Sequence, residues 1–571
     1  MPKIAENLVR TLAANGVSRV WGVPGDSLNG VTDAIRTSEA LEWMLVRHEE
    51  SAAFAAGAEA EITGELAVCA GSCGPGNLHL VNGLYDANRS RVPVLAIAAH
   101  IPSAEIGSTY FQETHPTELF RECSVYCELV STPAQMPRVL EIAMREAVER
   151  RGVAVIVIPG DLALAEAVGD RAVEVRRSRS ETVPIAEELD RAAAILGEAK
   201  RVTILAGAGV AGARAEVLEL ADALAAPIVH ALRGKEHIEH DNPYDVGMTG
   251  LLGFASGYRA MERCDTLLVL GSDLPYQEFY PDARIIQVDA RGEQLGRRAP
   301  LELGLRGDVG PTIRALLPRL APARSRKHLD SSVDHYRRTR ERFDRLERQG
   351  EGPLHPQHVT AVLDELAADD AILIPDVGTP VVWAARHLHI GAGRRLLGSF
   401  AHGTMAAALP LAIGAQAVDP ARQVIAMAGD GGLSMLLGEL ATAAQLHLPV
   451  KVVVYENSSL AFVEVEMKAA GVVNFATELE NPDFAAVARA CGFHAERVET
   501  EDELPGALRR ALEADGPALV SVRVERQELS LPPSIEAQQA KGFSLYAMRT
   551  VLSGDAREVI DLAKANLRQL L

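Results

Sequence analysis

The chain has few of the residues that build disulfide scaffolds, membrane spans or nucleic-acid surfaces. Only six of its 571 residues are cysteine. Four of them form two close pairs, Cys69 with Cys73 and Cys123 with Cys127. Neither pair has partners at zinc spacing, although His79 and His115 lie in the vicinity. Buried, reduced thiols are therefore expected, with no metal or redox role. Basic residues are also outnumbered: 57 Lys and Arg face 77 Asp and Glu, a formal charge of −20. Without a basic surplus to meet phosphates, nucleic acid is excluded as a general partner, though a local basic site is not. No apolar run approaches the roughly 18 residues of a membrane helix, and the opening MPKIAENLVR holds no apolar signal core. A cytoplasmic protein is expected.

What is present is ordinary globular material, 48% hydrophobic and 23% charged. At roughly 150 residues per domain, the length predicts three or four domains. The pattern predicts an α/β fold of three doubly wound parallel-sheet domains, at 1–180, 183–330 and 353–530, followed by a tail at 531–571. A charged, patternless stretch, Gly169 to Glu181, reads as the first linker. A highly charged one, Ala323 to Gly352, reads as a solvated connecting helix. The third domain repeats the order of elements of the first without repeating its sequence.

The most informative stretch runs from Gln423 to Phe462. A buried strand is followed by Gly429-Asp430-Gly431-Gly432, then by helical spacing from Leu433 to Leu446, a second buried strand at Val450 to Tyr455, and Asn457. The glycines let the backbone bend sharply and approach an anionic ligand, at a helix start that suits phosphate. Asp430 and Asn457 fall at the carboxyl ends of neighbouring strands, where open α/β sheets bind ligands. A carboxylate and an amide oxygen there are hard ligands suited to octahedral Mg²⁺. An ordinary βαβ turn with an N-capping Asp is the simpler alternative. Two further sites stand out. Glu49, in Arg47-His48-Glu49-Glu50 at a strand-to-helix junction, is either a catalytic acid–base group or a first-turn glutamate on a helix dipole. Gly207-Ala208-Gly209-Val210-Ala211-Gly212, between a strand and a helix, reads as a dinucleotide turn or as part of a nucleotide-free α/β spacer.

The GDG turn with Asn457 after the following strand resembles the thiamine diphosphate motif of the decarboxylase, oxidase and acetolactate synthase superfamily. Longer runs, among them WGVPGDSLNG from Trp21, VPVLAIAAHIPSAEIGSTYFQETHP from Val92, APIVHALRGKEHIEHDNPYDVGMTGLLGF from Ala226 and KGFSLYAMRTVLSG from Lys541, resemble the quinone-reducing bacterial pyruvate oxidases. The resemblance implies oxidation of pyruvate to acetate and CO₂, with two electrons passing through FAD to a membrane quinone. It makes the three domains pyrimidine-binding, FAD-binding and diphosphate-binding in that order.

Residue by residue, it implies that Asp430, Asn457 and the main-chain carbonyl of Ser459 bind Mg²⁺. Gly431, Gly432, Ser458, Leu460, Ala461, Phe462 and Val463 complete that stretch. Gly403, Thr404 and Met405 form the thiamine-contact turn, Met405 holding the cofactor bent. Glu49 hydrogen-bonds the aminopyrimidine ring and favours its imino form. Thr249, Gly250, Leu251, Leu252, Ser272, Asp273, Leu274, Pro275, Tyr276 and Asp289 match the FAD contacts. Phe111 and Gln112 match the substrate loop, and Phe462 a residue that moves into the site on reduction. Because Glu49 and the GDG turn lie in different domains, the superfamily builds each site across two chains. A homodimer at least is implied, with a tetramer usual.

The stretch Ala556 to Leu571 is either a helix that meets lipid at the inner face of the cell membrane, as the family's end does, or one packed on its own protein. Several positions depart from the family. Glu456 stands where an Asn is usual, Ala461 where a Gly, Leu433 where a Phe and Ala401 where an Asn, and Asp273-Leu274 replace Gln-Phe. A negative charge at Glu456 would perturb the metal unless it points away. Three readings follow: the quinone-linked oxidoreductase (or its phosphate- and oxygen-using relative), an acetolactate synthase-type carboligase with non-redox FAD, and an inactive membrane-associated paralogue.

Overall fold

Short apolar runs alternating with helical segments assemble into three six-stranded sheets in the computed structural model of the chain. It describes residues 2–529 apart from 170, 177, 179, 323, 324, 350 and 351, together with 537–552 and 556–570. All strand pairs within these sheets are parallel. No helix is long and apolar enough to cross a membrane, among the described residues.

The first sheet holds β1 (Arg19–Gly22), β2 (Glu42–Leu45), β3 (Ala67–Gly71), β4 (Val94–His100), β5 (Tyr126–Leu129) and β6 (Val153–Pro159), in the order β2-β1-β3-β4-β6-β5. The second holds β7 (Val202–Ala206), β8 (Ile228–His230), β9 (Asp245–Met248), β10 (Thr266–Leu270), β11 (Arg284–Asp289) and β12 (Leu303–Arg306), in the order β12-β11-β10-β7-β8-β9. The third holds β13 (Ile372–Pro375), β14 (Arg395–Leu396), β15 (Val424–Gly429), β16 (Lys451–Glu456), β17 (His494–Val498) and β18 (Ala518–Arg523), in the order β14-β13-β15-β16-β18-β17. The first and third sheets therefore share one strand order. The second has the dinucleotide-fold order, reversing direction between β7 and β10. Inner strands such as β3, β4, β6, β7 and β10 are buried on both faces because helices cover both sides, while the edge strands β2, β5, β12 and β17 keep polar or exposed positions.

The first and third sheets share a core. Helix Glu49–Thr63 is buried along nearly its whole length, which explains a sequence that is apolar on every side. It packs on its own sheet and on helix Ala408–Val418 of the third domain, and one continuous apolar cluster runs from Trp21 through Phe54 and Ile413 to Val454. The middle sheet keeps its own two apolar layers, centred on Ile204 with Leu268 and on Leu205 with Val269. Among the described residues 169–181 there is no regular element, and the charged connector forms helix Lys327–Leu346.

Two expectations change. The helical spacing from Leu433 to Leu446 is not one helix but two, Asp430–Met435 and Glu439–Gln445. Gly438 lies at the break, where the absence of a side chain lowers helix propensity. The carboxylate of Glu439, which opens the second piece, accepts the main-chain N–H of Arg47 across the domain boundary at 3.1 Å. The GxGxxG segment lies between β7 and helix Arg214–Leu224 as expected, but the chain passes through a 3-10 turn, Ala208–Val210, before that helix begins. A Cβ on Gly207 would lie 2.4 Å from the carbonyl oxygen of Gly271, and one on Gly209 2.7 Å from its Cα. These glycines let the β7 and β10 loops touch each other. All six cysteines are free; burial pushes the thiols of Cys123 and Cys127 up to about 12, and that of Cys69 higher still.

Candidate active site

Asp430 opens helix Asp430–Met435 directly after β15, and Asn457 follows β16, its neighbour in the sheet. The carboxylate of Asp430 is 2% exposed. Its Oδ2 accepts the main-chain N–H of Asn457 (3.1 Å) and of Ser458 (2.6 Å), and its Oδ1 that of Gly431 (2.8 Å). A fourth donor is the side-chain amide of Asn481, 2.8 Å from Oδ2. Every one of these donors is neutral. Burial raises the carboxyl above the usual range, against the pull of those hydrogen bonds. The side chain of Asn457 turns back to accept the N–H of Ser459 at 3.0 Å, and Ser458 sits in the left-handed region at φ 56°. A buried carboxylate with only neutral donors, beside an amide oxygen and a kinked loop, is a donor set that fits one divalent cation with oxygen ligands. Among the described residues no cluster of three His, Cys, Asp or Glu offers a competing site.

The glycines after Asp430 are demanded by their neighbours. A Cβ on Gly431 would lie 2.7 Å from Leu460 and 3.4 Å from the methyl of Met405. A Cβ on Gly432 would lie 1.9 Å from Oδ2 of Asp376. Asp376 follows β13, across the switch point of the third sheet from β15. Its buried carboxyl, pushed up to about 7 by desolvation, accepts the N–H groups of Ala406 and Ala407 (3.1 Å each). It thereby pins the Gly403–Met405 turn beside the GDG turn. The other support of that turn comes from the first domain. Ser399 Oγ accepts the N–H groups of Gly403 and Thr404 (3.1 Å each) and donates to Asp86 at 2.7 Å. Asn82 donates to Thr404 Oγ1 (3.0 Å) and Glu50 (2.7 Å), and receives the His402 ring N–H at 2.9 Å.

Glu49 is placed differently. It is buried at the first turn of its helix, where His79 donates to its Oε2 at 2.9 Å, and its Oε1 lies against Gly76. His48 stacks on His79 with ring centroids 4.3 Å apart. Among the described residues, none of its contacts reaches the Gly403–Met405 turn or Asp430 within the chain. It is Glu50 that this chain joins to Thr404. Phe111 is 79% exposed. Gln112, at φ 62°, packs on Gly74 and receives the Cys73 thiol at 3.4 Å. Leu460 pairs with Thr477 of the crossing loop, Ala461 is buried, and Val463 is exposed.

The flavin-type residues converge at the carboxyl ends of β9, β10 and β11. Thr249 and Ser272 are buried, and their hydroxyls find no partner among the described residues. Gly250, at φ 89°, faces Leu274 and Tyr276, while Leu251 and Tyr276 are each 38% exposed. Pro275 lies between the two facing side chains, and Asp273 is held by Arg298 at 2.8 Å. Asp289 caps the N–H of Arg291 at 2.8 Å, its carboxyl raised by burial and tempered by Arg291 and by Arg91 of the first domain. Two orphaned buried hydroxyls beside exposed apolar side chains fit a polar, planar cofactor such as FAD. Arg386 of the third domain, buried, donates to the carbonyls of Leu252 (3.1 Å) and Gly253 (3.4 Å). Leu252 and Phe462 pack against the same third-domain apolar layer.

Glu456 points away from the loop of residues 457–459. Its carboxylate receives Ser521 Oγ at 3.0 Å and lies 3.6 Å from Arg497. Asn481, Asp376 and Asn82 were not singled out by sequence. Only Asp376 had a readable signal, a carboxylate at the carboxyl end of a strand.

Family models for thiamine pyrophosphate enzymes match all three domains: the N-terminal TPP binding domain at residues 2–119, the central domain at 189–316 and the C-terminal TPP binding domain at 376–522. A putative thiamine pyrophosphate-containing protein YdaP of Bacillus subtilis is 38% identical over 554 residues, 96% of each chain. A pyruvate oxidase of Lactiplantibacillus plantarum is 31% identical over 513 residues, 88% of this chain and 85% of its own. The acetolactate synthase isozyme 2 large subunit of Escherichia coli is 31% identical over 536 residues, 92% of this chain and 96% of its own. With three matched domains, one on each of three parallel sheets, this chain belongs to the thiamine pyrophosphate enzyme family.

Proposed function

We propose that the chain oxidises pyruvate to acetate and CO₂ and delivers two electrons through FAD to a membrane quinone. The observation that carries this reading is the shared packing of Phe462 and Leu252. Phe462 lies three residues beyond Ser459, Leu252 closes the Thr249–Leu252 stretch, and both rest on one apolar layer with Arg386 fixing the second. The proposed metal loop and the proposed flavin stretch are thereby mechanically joined, which suits electron transfer between them.

In this reading Asp430, Asn457 and the Ser459 carbonyl hold Mg²⁺, and Gly431 and Gly432 let the backbone approach a diphosphate. Asp376 and Asp86 hold the Gly403–Met405 turn from two sides. Bound there, thiamine diphosphate would supply the electron sink for decarboxylation and FAD the two-electron acceptor. Glu49, kept from solvent and oriented by His79, would meet an aminopyrimidine nitrogen of thiamine diphosphate. Among the described residues its contacts, to His79 and Gly76, stay within the first domain, which supports a site completed by a second copy, hence a dimer at least and a tetramer by family habit. The exposed Phe111 loop has the same logic, and the Cys73–Gln112 contact anchors it.

The last helix, Ala556–Leu570, turns Glu558 and Asn566 inward and leaves Ile560 half exposed. An outward apolar side chain there supports peripheral lipid contact at the inner face of the cell membrane; Leu567, Leu570 and Leu571, part of the expected apolar face, lie outside the described side chains. The relatives' names also support a carboligase with non-redox FAD, and a phosphate- and oxygen-using oxidase. One experiment separates them: the protein with Mg²⁺, thiamine diphosphate, inorganic phosphate and pyruvate, without oxygen, followed by flavin absorbance. Stoichiometric bleaching reversed by a soluble quinone, with acetate formed, is expected. Flavin that stays oxidised while acetolactate accumulates identifies the carboligase, and bleaching reversed only by oxygen with acetyl phosphate formed identifies the phosphate-using oxidase.

A further inference from the structure

One charged cluster in the third domain is not used by the reading above. Glu464 is 1% exposed. It lies one turn into helix Ala461–Ala469, which starts where the metal loop ends. Its Oε1 receives three donors: the hydroxyl of Ser459, the hydroxyl of Thr477 at 2.9 Å and the guanidinium of Arg526 at 3.1 Å. Its Oε2 receives the ammonium of Lys468 at 3.2 Å. Lys468 is itself 2% exposed, donates to Gln527 at 3.2 Å and lies 5.6 Å from the ring centroid of Tyr546.

The first two donors belong to the two segments that frame Asp430. Residues 458–460 and 477–479 pair side by side: Leu460 N–H donates to the Thr477 carbonyl (2.8 Å) and Leu479 N–H to the Ser458 carbonyl (3.0 Å), with Ser459 bridged to Glu478. Asn481, which donates to Asp430, lies two residues beyond that pairing. One carboxylate oxygen thus spans both segments from below, on side chains whose backbones contribute to the cation's surroundings.

We propose that Glu464 is a positioning residue for the divalent cation: by holding Ser459 and Thr477 on a single oxygen it sets the orientation of the Ser459 carbonyl and the placement of Asn481. This rests on the proposed metal role of Asp430, Asn457 and Ser459. A buried charge is a costly way to join two hydroxyls. Lys468 and Arg526 neutralise it, and the carboxylate's geometry lets it receive four donors at once. Groups that orient metal ligands from behind alter metal affinity by about tenfold to a hundredfold when removed.

The test is a Mg²⁺ titration of thiamine diphosphate binding, by calorimetry on the full chain, for wild type, E464A and E464Q, with melting of each protein free of metal and cofactor. For E464A the Mg²⁺ half-saturation is expected to rise about tenfold to a hundredfold, while thiamine diphosphate affinity at saturating Mg²⁺ is largely restored. E464Q keeps an oxygen for Ser459 and Thr477 and is expected to fall between. A half-saturation for E464A within about threefold of wild type, or an equal weakening at every Mg²⁺ concentration that merely follows a lower melting temperature, overturns the proposal. If E464A does not fold, E464Q decides by the same titration, and a value within about threefold of wild type overturns it. Wild type that takes up no thiamine diphosphate at saturating Mg²⁺ overturns the parent reading and this one with it; a wild type that binds and variants that match it overturn this one alone.

Discussion

Asn481 donates its side-chain amide to the same oxygen of Asp430 that receives the N–H groups of Asn457 and Ser458. Three donors on one oxygen leave the other facing Gly431. Asn481→Ala should weaken Mg²⁺ by about tenfold without loss of fold, since one of four donors is removed. Asp430→Asn should abolish Mg²⁺-dependent thiamine diphosphate binding. Calorimetry with and without Mg²⁺ checks both, and N481A with unchanged Mg²⁺ affinity would remove Asn481 from the site.

Thr249 and Ser272 make opposite predictions for the free and flavin-bound protein. Their buried hydroxyls have no partner among the described residues, so T249A and S272A should leave the flavin-free melting temperature unchanged or raise it. Each should weaken FAD by about threefold to tenfold, the size of one lost hydrogen bond. Flavin release on dilution measures the second effect. Equal FAD retention by the double variant would place the flavin elsewhere.

Glu456→Asn restores the residue usual in the family, yet no gain in Mg²⁺ affinity is expected. The carboxylate faces Ser521 and Arg497, not the loop of residues 457–459. Affinity within about twofold of wild type is the expected titration result, with a lower melting temperature because Ser521 loses its acceptor. A marked tightening of Mg²⁺ would show that the charge is felt at the metal.

The domain boundary should respond to pH. Asp86 is wholly buried, and desolvation first, eased by Ser399 and reinforced by Glu61, raises its carboxyl to about 7 from 3.8. The folded state therefore holds a proton that the unfolded state has lost between those values. The resulting stabilisation is complete below 3.8 and is lost as pH rises towards 7, with a slope of about 1.4 kcal/mol per pH unit. Asp86→Asn, neutral throughout, should flatten the fall in melting temperature between pH 4 and 7. An unchanged profile would assign that fall to other buried carboxyls, Asp376 and Asp245, which are likewise raised to about 7.

Gly414 and Ala55 meet across the same boundary. A Cβ on Gly414 would lie 2.2 Å from the carbonyl oxygen of Ala55. Gly414→Ala should destabilise by about 1–3 kcal/mol or more, because backbone cannot move aside as a side chain can. Thermal melting reads this directly, and a wild-type melting temperature would mean the two helices are free to separate.

What was legible in the sequence was local. Asp430 and Asn457 each sit just beyond an apolar strand, so alternation alone put them at one end of one sheet. A similar order of elements in the first and third domains was visible, but not the strand order their sheets share. What was not legible depended on partners far along the chain. Asn481 has no pattern around it and reaches Asp430 only through the pairing of 458–460 with 477–479. The direction of Glu456 is set by Ser521 and Arg497 on other strands. The break in the Leu433–Leu446 helix sits beside Glu439, whose partner Arg47 lies in another domain. The GxGxxG turn was legible as letters, but not that Gly207 and Gly209 lie against Gly271 while Gly212 stands open at φ 73°.

The apolar cluster that runs from the first sheet into the third has a consequence for how the chain comes apart. Elements that share one core open together, as a single cooperative unit, whereas a lobe with private layers opens on its own. The outer two lobes, distant in sequence, should protect their amides from exchange as one block, and the middle lobe as another. Folding of the outer block must wait until the last third of the chain is available, since helix Glu49–Thr63 has no complete cover before helix Ala408–Val418 arrives.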